Sequence, residues 1–270
     1  MAILELTDKE YRAIEGANAS TLKNFIHSIK EGKRSLEKPF KGSLATQFGT
    51  LCHSYILEQD TFENEYALFK PPVNDKTGKE YGNTTNAFYS ALNDFNSQGK
   101  IAFTSDDFEK LQAIENNIKN CKHTTMILEK CPRRELVMTW VDERTGLKCK
   151  AKLDAVGDKI ALDLKTIGDF KFHGYDEESE RLRNTKLHYQ CLDYGYYLQF
   201  KHYMNGCIAN DLPIEQFAVI WCEREGINDV CTTLISDYKL ELGQQQLDSA
   251  FDNYMNRKKE CKLYHTISEL

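Results

Sequence analysis

Leu44, Phe48, Leu51 and Tyr55 fall on one stripe of a 3.6-residue period, which predicts an amphipathic helix over residues 43–59. Ser20 suits the N-cap of a shorter helix over 21–29. The basic stretch Lys30, Lys33, Arg34, Lys38 and Lys41 reads as a solvated loop, with phosphate contact as its functional alternative. Residues 70–86 carry Pro, Asn, Gly and Thr in close succession and form the most loop-like segment. Helices are expected again over 87–98 and 106–119. The first 130 residues therefore read as mainly helical.

Beyond Pro132 the period shortens to two. Residues 135–141 alternate like a strand, a turn at Asp142–Gly146 follows, and 147–156 alternate again, which predicts a hairpin. Gly157-Asp158 turns the chain into a third strand, 160–166. A long helix is predicted over 186–203, two strands over 217–223 and 230–235, and a closing helix over 237–258. This order predicts an α/β fold, a mixed central sheet flanked by helices behind a helical N-terminal half. One domain over 1–270 is expected, with 1–130 its helical part and 131–270 its sheet and flanking helices.

Hydrophobic residues make up 41% of the chain and aromatic residues 11%, enough for a sizeable core and against disorder. No apolar run approaches a membrane span and the first residues lack a secretory pattern, so a soluble, cytoplasmic protein without membrane contact is expected. The net charge of −6 argues weakly against general nucleic-acid binding but leaves room for a local basic channel. Nine scattered cysteines with no Cys-x-x-Cys pair suit reduced thiols and give a zinc site or iron–sulfur cluster little support.

The candidate chemistry lies on the second and third of these strands. Lys148, Lys150, Lys152 and Asp154 share one face of the second strand, opposite Cys149, Ala151 and Leu153. A solvent-facing strand accounts for the lysines by themselves. On the third strand Asp163 and Lys165 are same-face neighbours, about 7 Å apart at the strand rise. A structural ion pair accounts for an isolated Asp-x-Lys. The hairpin, however, brings Asp154 alongside, and two neighbouring carboxylates ask for a cation, with magnesium the ordinary choice for such oxygens. Gln190 and Tyr194 stand one turn apart on the following helix, and Gly49 and His53 one turn apart on the helix over 43–59, off its apolar stripe. Gly49 would let another backbone come close to that turn. Each pair alone is weak.

In order, the chain presents Gly49-x-x-x-His53, Glu135, Asp154, Asp163-Leu164-Lys165-Thr166 and Gln190-x-x-x-Tyr194. This resembles the RecB-like branch of the PD-(D/E)XK nucleases. It is most similar to the RecE (exonuclease VIII) type, through Asn18-Ala-Ser20-Thr-Leu-Lys23, Gly99-Lys-Ile-Ala-Phe-Thr104 and Glu135 to Trp140. The second acid is Asp163 where Glu is more usual. The cysteine cluster of iron–sulfur members is not recognisable.

The resemblance implies a restriction-endonuclease-like core and a metal ion held by His53, Asp154, Asp163 and the Leu164 carbonyl. Magnesium is implied, with manganese able to substitute. Lys165 would orient or deprotonate the attacking water and stabilise the transition state, with Asp154, Asp163, Gln190 and Tyr194 completing the catalytic set. Glu135 and Gly49 would support the site from behind. Lys148, Lys150, Lys152, Ser20 and Thr166 would contact DNA. The implied activity is 5′-to-3′ digestion of linear double-stranded DNA from its ends, leaving 3′ single strands for recombination. A ring, tetramer or trimer, and a RecT-type single-strand annealing partner are implied likewise. The alternatives are a RecB-like or CRISPR-adaptation-type nuclease of other polarity, a catalytically inactive DNA-binding module of the same fold, and a zinc hydrolase.

Overall fold

The Asp142–Gly146 turn sets the frame. Gly146 adopts φ +68° and returns its N–H to Asp142 O at 2.8 Å, folding β4 (Arg133–Val141) back on β5 (Lys148–Val156). Gly157 N–H bonds Ile160 O at 2.8 Å and opens β6 (Ile160–Ile167). The computed structural model describes residues 2–4, 6–38, 42–97, 99–170, 175–176, 181–182 and 185–258. In it these strands join β1 (Ala2–Leu4), β9 (Gln216–Glu223) and β10 (Val230–Leu234) in a six-stranded sheet of order β1-β4-β5-β6-β9-β10. Only β6 and β9 run parallel, so the sheet is mixed but mostly antiparallel. Two short pairs lie outside it: β2 (Tyr66–Leu68) with β3 (Ile101–Phe103), and β7 (Tyr175–Asp176) with β8 (Arg181–Leu182).

The helical front half contains α1 (Asp8–Ala13), α2 (Ala19–Leu22), α3 (Ile29–Glu37), α4 (Leu44–Leu57), α5 (Gln59–Glu65), α6 (Asn86–Asn96), α7 (Ser105–Asn120) and α8 (Lys122–Lys130). Ser43 begins α4 by accepting Thr46 N–H, a capping box in the expected place. The back half adds α9 (Thr185–Asp193), α10 (Tyr196–Ala209) and α11 (Asp237–Met255).

Both faces of the sheet are covered, which is why β6 and β9 are buried almost throughout. On one face Met138, Trp140, Leu153 and Trp221 pack with Leu198, Phe200, Leu247 and Phe251 of α10 and α11. On the other, Leu162, Leu164 and Ile220 pack with Phe48, Leu51, Leu111 and Ile114 of α4 and α7.

Four expectations need correction. The predicted helix over 186–203 is two helices, because Gly195 takes the left-handed φ of +65° and turns the chain between them. The basic stretch from Lys30 lies largely on α3 rather than in a loop. Asn18, not Ser20, caps α2, accepting Thr21 N–H at 2.8 Å. The strands β1, β2 and β3 were not foreseen. The eight described cysteines are free thiols, and no helix among the described residues is long and apolar enough to cross a membrane.

The feature that positions the site is a split in the sheet. β5 and β6 pair only at Ala155↔Leu162 and Val156↔Ala161, then diverge. Further along, the free edge of β5 is taken by Ala17, whose N–H and C=O bond Lys148 O and Lys150 N, each at 2.9 Å. Asp154 and Asp163 are the first residues inside the resulting wedge.

Candidate active site

Asp154 uses one carboxylate oxygen to close the strand and the other to meet the helix above. Its Oδ2 accepts the Leu164 N–H at 2.8 Å, replacing the missing ladder bond between β5 and β6. Its Oδ1 lies 3.2 Å from His53 Nε2. His53 also stands 3.4 Å from Glu135 Oε1 through Nε2 and 3.4 Å from Glu58 Oε1 through Nδ1. One ligand atom from each of His53, Glu58 and Glu135 lies within 4.8 Å of the others.

Glu135 reaches this cluster through an unusual backbone. It has φ +51°, and the ladder skips it: Arg134↔Ala155 and Leu136↔Leu153 pair on either side. A non-glycine residue in this region carries roughly 1–2 kcal/mol of strain. Such outliers concentrate where function dictates geometry. The other oxygen of Glu135 is ion-paired with Lys152.

Asp163 is fully buried on the α10 side of the strand. Gln199 Nε2 donates to its Oδ1 at 3.0 Å and to the Tyr203 hydroxyl at 3.0 Å. Lys165 Nζ lies 2.5 Å from Asp163 Oδ2 and 5.4 Å from the centroid of Tyr196. Lys165 thus ion-pairs the Asp163 oxygen that Gln199 leaves free, while Glu135 Oε1 is buried with no hydrogen bond, only His53 Nε2 at 3.4 Å.

The charges are strongly coupled. Burial raises the Asp163 pKa and the Asp154 charge adds to this; Lys165 offsets only part, leaving it at about 6. Asp154 goes the other way. Burial opposes its ionisation, but His53, Lys165 and the Leu164 N–H outweigh that and lower its pKa. Burial disfavours the imidazolium of His53, yet Asp154, Glu58 and Glu135 together push it up to about 11. Lys165 likewise stays protonated: burial opposes its charge, while Asp163 and Asp154 more than restore it.

These residues fit a divalent cation. Oxygen-rich donors with one imidazole nitrogen are an ordinary set for such an ion. A buried carboxylate oxygen without a hydrogen bond costs about 1–3 kcal/mol, and Glu135 Oε1 is one beside the His53–Asp154 pair. The imidazolium stands where the site concentrates negative potential.

The structure places the remaining expected residues unevenly. A Cβ on Gly49 would meet Thr166 Oγ1 at 3.0 Å, so what comes close there is a side chain of β6 and not the expected backbone, and Thr166 is partly covered by α4. Ser20 is exposed. Tyr194 is 55% exposed and lies 5.8 Å from Tyr196, ring to ring. The Gln190 side chain has no hydrogen bond among the described residues. Lys148 pairs with Glu15 at 2.9 Å on the surface. Lys150 requires correction: it is 5% exposed and gives all its protons to the carbonyls of Tyr11, Arg12 and Ile14 at the end of α1. It ties the N-terminal segment to β5 and has no donor left for a phosphate.

Sequence reasoning missed Glu58, Gln199 and Tyr203. Gln199 and Tyr203 repeat the Gln-x-x-x-Tyr spacing nine residues after Gln190 and Tyr194, so the signal was present twice and only the first copy was read. Glu58 lies just past α4, five residues after His53, a spacing that points to no neighbour on a regular helix.

A mixed sheet clad by helices and split beside the Asp154–His53 and Asp163–Lys165 pairs fits the restriction-endonuclease-like class of α/β proteins. The chain belongs to the PDDEXK-like domain of unknown function family (DUF3799), whose pattern matches residues 18–262. No curated relative matches it. Its fold is similar to a crystal structure from Eubacterium rectale of a protein named as a candidate exonuclease. The TM-score is 0.62 at 15% identity, over 97% of this chain and 92% of that one. A phage-related exonuclease from Haemophilus somnus 129PT aligns over 75% of this chain and 92% of its own at 13% identity. Its TM-score of 0.28 is too low to define a shared fold.

Proposed function

We propose that the chain is a magnesium-dependent exonuclease that hydrolyses linear double-stranded DNA from its 5′ ends. The observation that carries this is the placing of two charged pairs, Asp154 with His53 and Asp163 with Lys165, where β5 and β6 part. His53, Asp154 and Asp163, with Glu135 beside them, would hold the cation. The Leu164 carbonyl leaves its strand on the same side as the amide that Asp154 binds, and would join them. When bound, the ion supplies Lewis acidity at the scissile phosphate and an acidified water.

The protein groups do the rest. Lys165, held protonated by two carboxylates, presents a fixed cation to the charge that grows on the phosphate oxygens. Gln199, braced by Tyr203, fixes the rotamer of Asp163. Tyr194 and Tyr196 form an aromatic edge beside Lys165 on which a strand end can stack. Lys152 and Lys148, both beside carboxylates, and the exposed Ser20 are the nearer candidates for backbone contacts. Gln190 would position the strand from α9.

The likeness to the RecE type rests on the order of these motifs. It supports 5′-to-3′ polarity, a cytoplasmic place of action, manganese as a substitute ion, a trimeric or tetrameric ring, and a RecT-type partner that takes up the 3′ single strand. The test is digestion of linear duplex labelled at either the 5′ or the 3′ end, with magnesium or EDTA, for wild type and Lys165→Ala. The expected result is magnesium-dependent release of the 5′ label, reduced on the order of a hundredfold or more in the variant. Equal rates in the two proteins, or digestion unaffected by EDTA, would overturn it.

A further inference from the structure

Lys23 opens the short 3-10 turn Lys23–Phe25 after α2. The segment is pressed against the bend between α9 and α10. A Cβ on Gly195 would lie 2.9 Å from Lys23 Cβ, and Gly195 has φ +65°, so the bend is built for a residue without a side chain. The next residue, Tyr196, carries Lys165 Nζ 5.4 Å from its ring centroid. Lys23 therefore stands at the rim of the wedge, beside the aromatic edge of the site.

Its charge is not answered locally. Lys110, Lys119, Lys148 and Lys159 each lie against a carboxylate. Lys23 is half-buried and has no such partner among the described residues. Burial lowers its pKa, the positive charge of Lys165 lowers it further, and Asp163 works the other way. Two neighbouring cations, one without its own carboxylate, are unfavourable until an anion joins them.

We propose that Lys23 grips a backbone phosphate of the DNA strand next to the scissile one, so that Lys23 and Lys165 hold the strand on both sides of the bond that breaks. This rests on the nuclease reading above. It assigns a substrate-holding role to a residue of the N-terminal segment, and it gives Gly195 a reason: the glycine lets α9 and α10 close on that segment.

The test uses Lys23→Ala, which keeps the Cβ that packs on Gly195, and Lys23→Arg, which keeps the charge. Binding of a fluorescein-labelled DNA duplex is followed by anisotropy in EDTA over a range of salt, and kcat and KM are measured in magnesium. In Lys23→Ala the slope of log K against log salt is expected to fall by about 0.9, the share of one phosphate contact. Affinity at low salt should drop about tenfold, as for one charge-assisted hydrogen bond. KM should rise with kcat largely kept, and Lys23→Arg should restore the slope. An unchanged slope and affinity in Lys23→Ala, alongside a wild type that hydrolyses DNA, would overturn this assignment alone. Weakened binding that comes with a lowered Tm and is not restored by Lys23→Arg would overturn it too, in favour of a packing role. A wild type that neither binds nor hydrolyses DNA would overturn the nuclease reading, and this assignment with it.

Discussion

Gln199 shows how one side chain can govern a site without touching substrate. It donates to Asp163 and Tyr203 from the same nitrogen, so its loss leaves Asp163 Oδ1 without its donor and the carboxylate free to change rotamer. Gln199→Ala is expected to lower kcat about tenfold and to weaken manganese binding, with Tyr203→Phe milder; steady-state kinetics and metal titration read both. His202, on the same helix, is buried with its Nε2 against Lys150 O at 3.1 Å, and burial lowers its pKa to about 4. Between about 4 and its ordinary 6.5, the unfolded chain takes up a proton that the folded chain refuses. This contribution to stability is therefore whole above 6.5 and fades as pH falls through that window, by at most about 3 kcal/mol. Denaturant melts at pH 7 and pH 5 should show a larger loss for wild type than for His202→Gln; equal losses contradict the assignment. At this scale the sequence was partly legible. Asp154, Asp163 and Lys165 declared themselves by strand alternation and a two-residue spacing. Lys150 misled because alternation alone cannot tell a solvent-facing lysine from one capping a distant helix. Glu58 was invisible because a contact made past a helix end has no periodic signature.

At the scale of elements, most strands and long helices followed from period and punctuation. β4, β5, β6, β9 and β10 lie within two residues of their expected bounds. The three-residue strands β1, β2 and β3 are too short to display a period, and tertiary pairing alone makes them strands. The break at Gly195 was missed because an isolated glycine inside a helical pattern is often tolerated. The packing of α10 and α11 carries its own test. A Cβ on Gly243 of α11 would sit 2.1 Å from Tyr197 O, a backbone atom that cannot step aside. Gly243→Ala should therefore destabilise by about 1–3 kcal/mol despite the better helix propensity of alanine. Because α10 carries Gln199 and Tyr203, activity should fall along with the Tm. A Tm equal to wild type would contradict this tight crossing of α10 and α11.

For the molecule as a whole, the net charge of −6 and the acidic wedge make the same demand: positive charge must be brought to the centre before an anionic strand can enter it. Lys165 and Lys23 meet part of that demand, and a divalent cation, displacing the His53 proton as it binds, would meet the remainder. A ligand that binds only the folded chain stabilises it by mass action, about 2.7 kcal/mol at a hundred times its Kd. Magnesium or manganese at that level should raise the Tm by about 5–10 °C, and EDTA should reverse it. The most direct measurement of the central claim is calorimetric titration of manganese into wild type, Asp154→Asn and Asp163→Asn, each checked for an intact fold by circular dichroism. The expected result is a saturable isotherm in wild type that is lost or weakened at least tenfold in both variants. The same isotherm in all three folded proteins would contradict a metal centre built on these two aspartates.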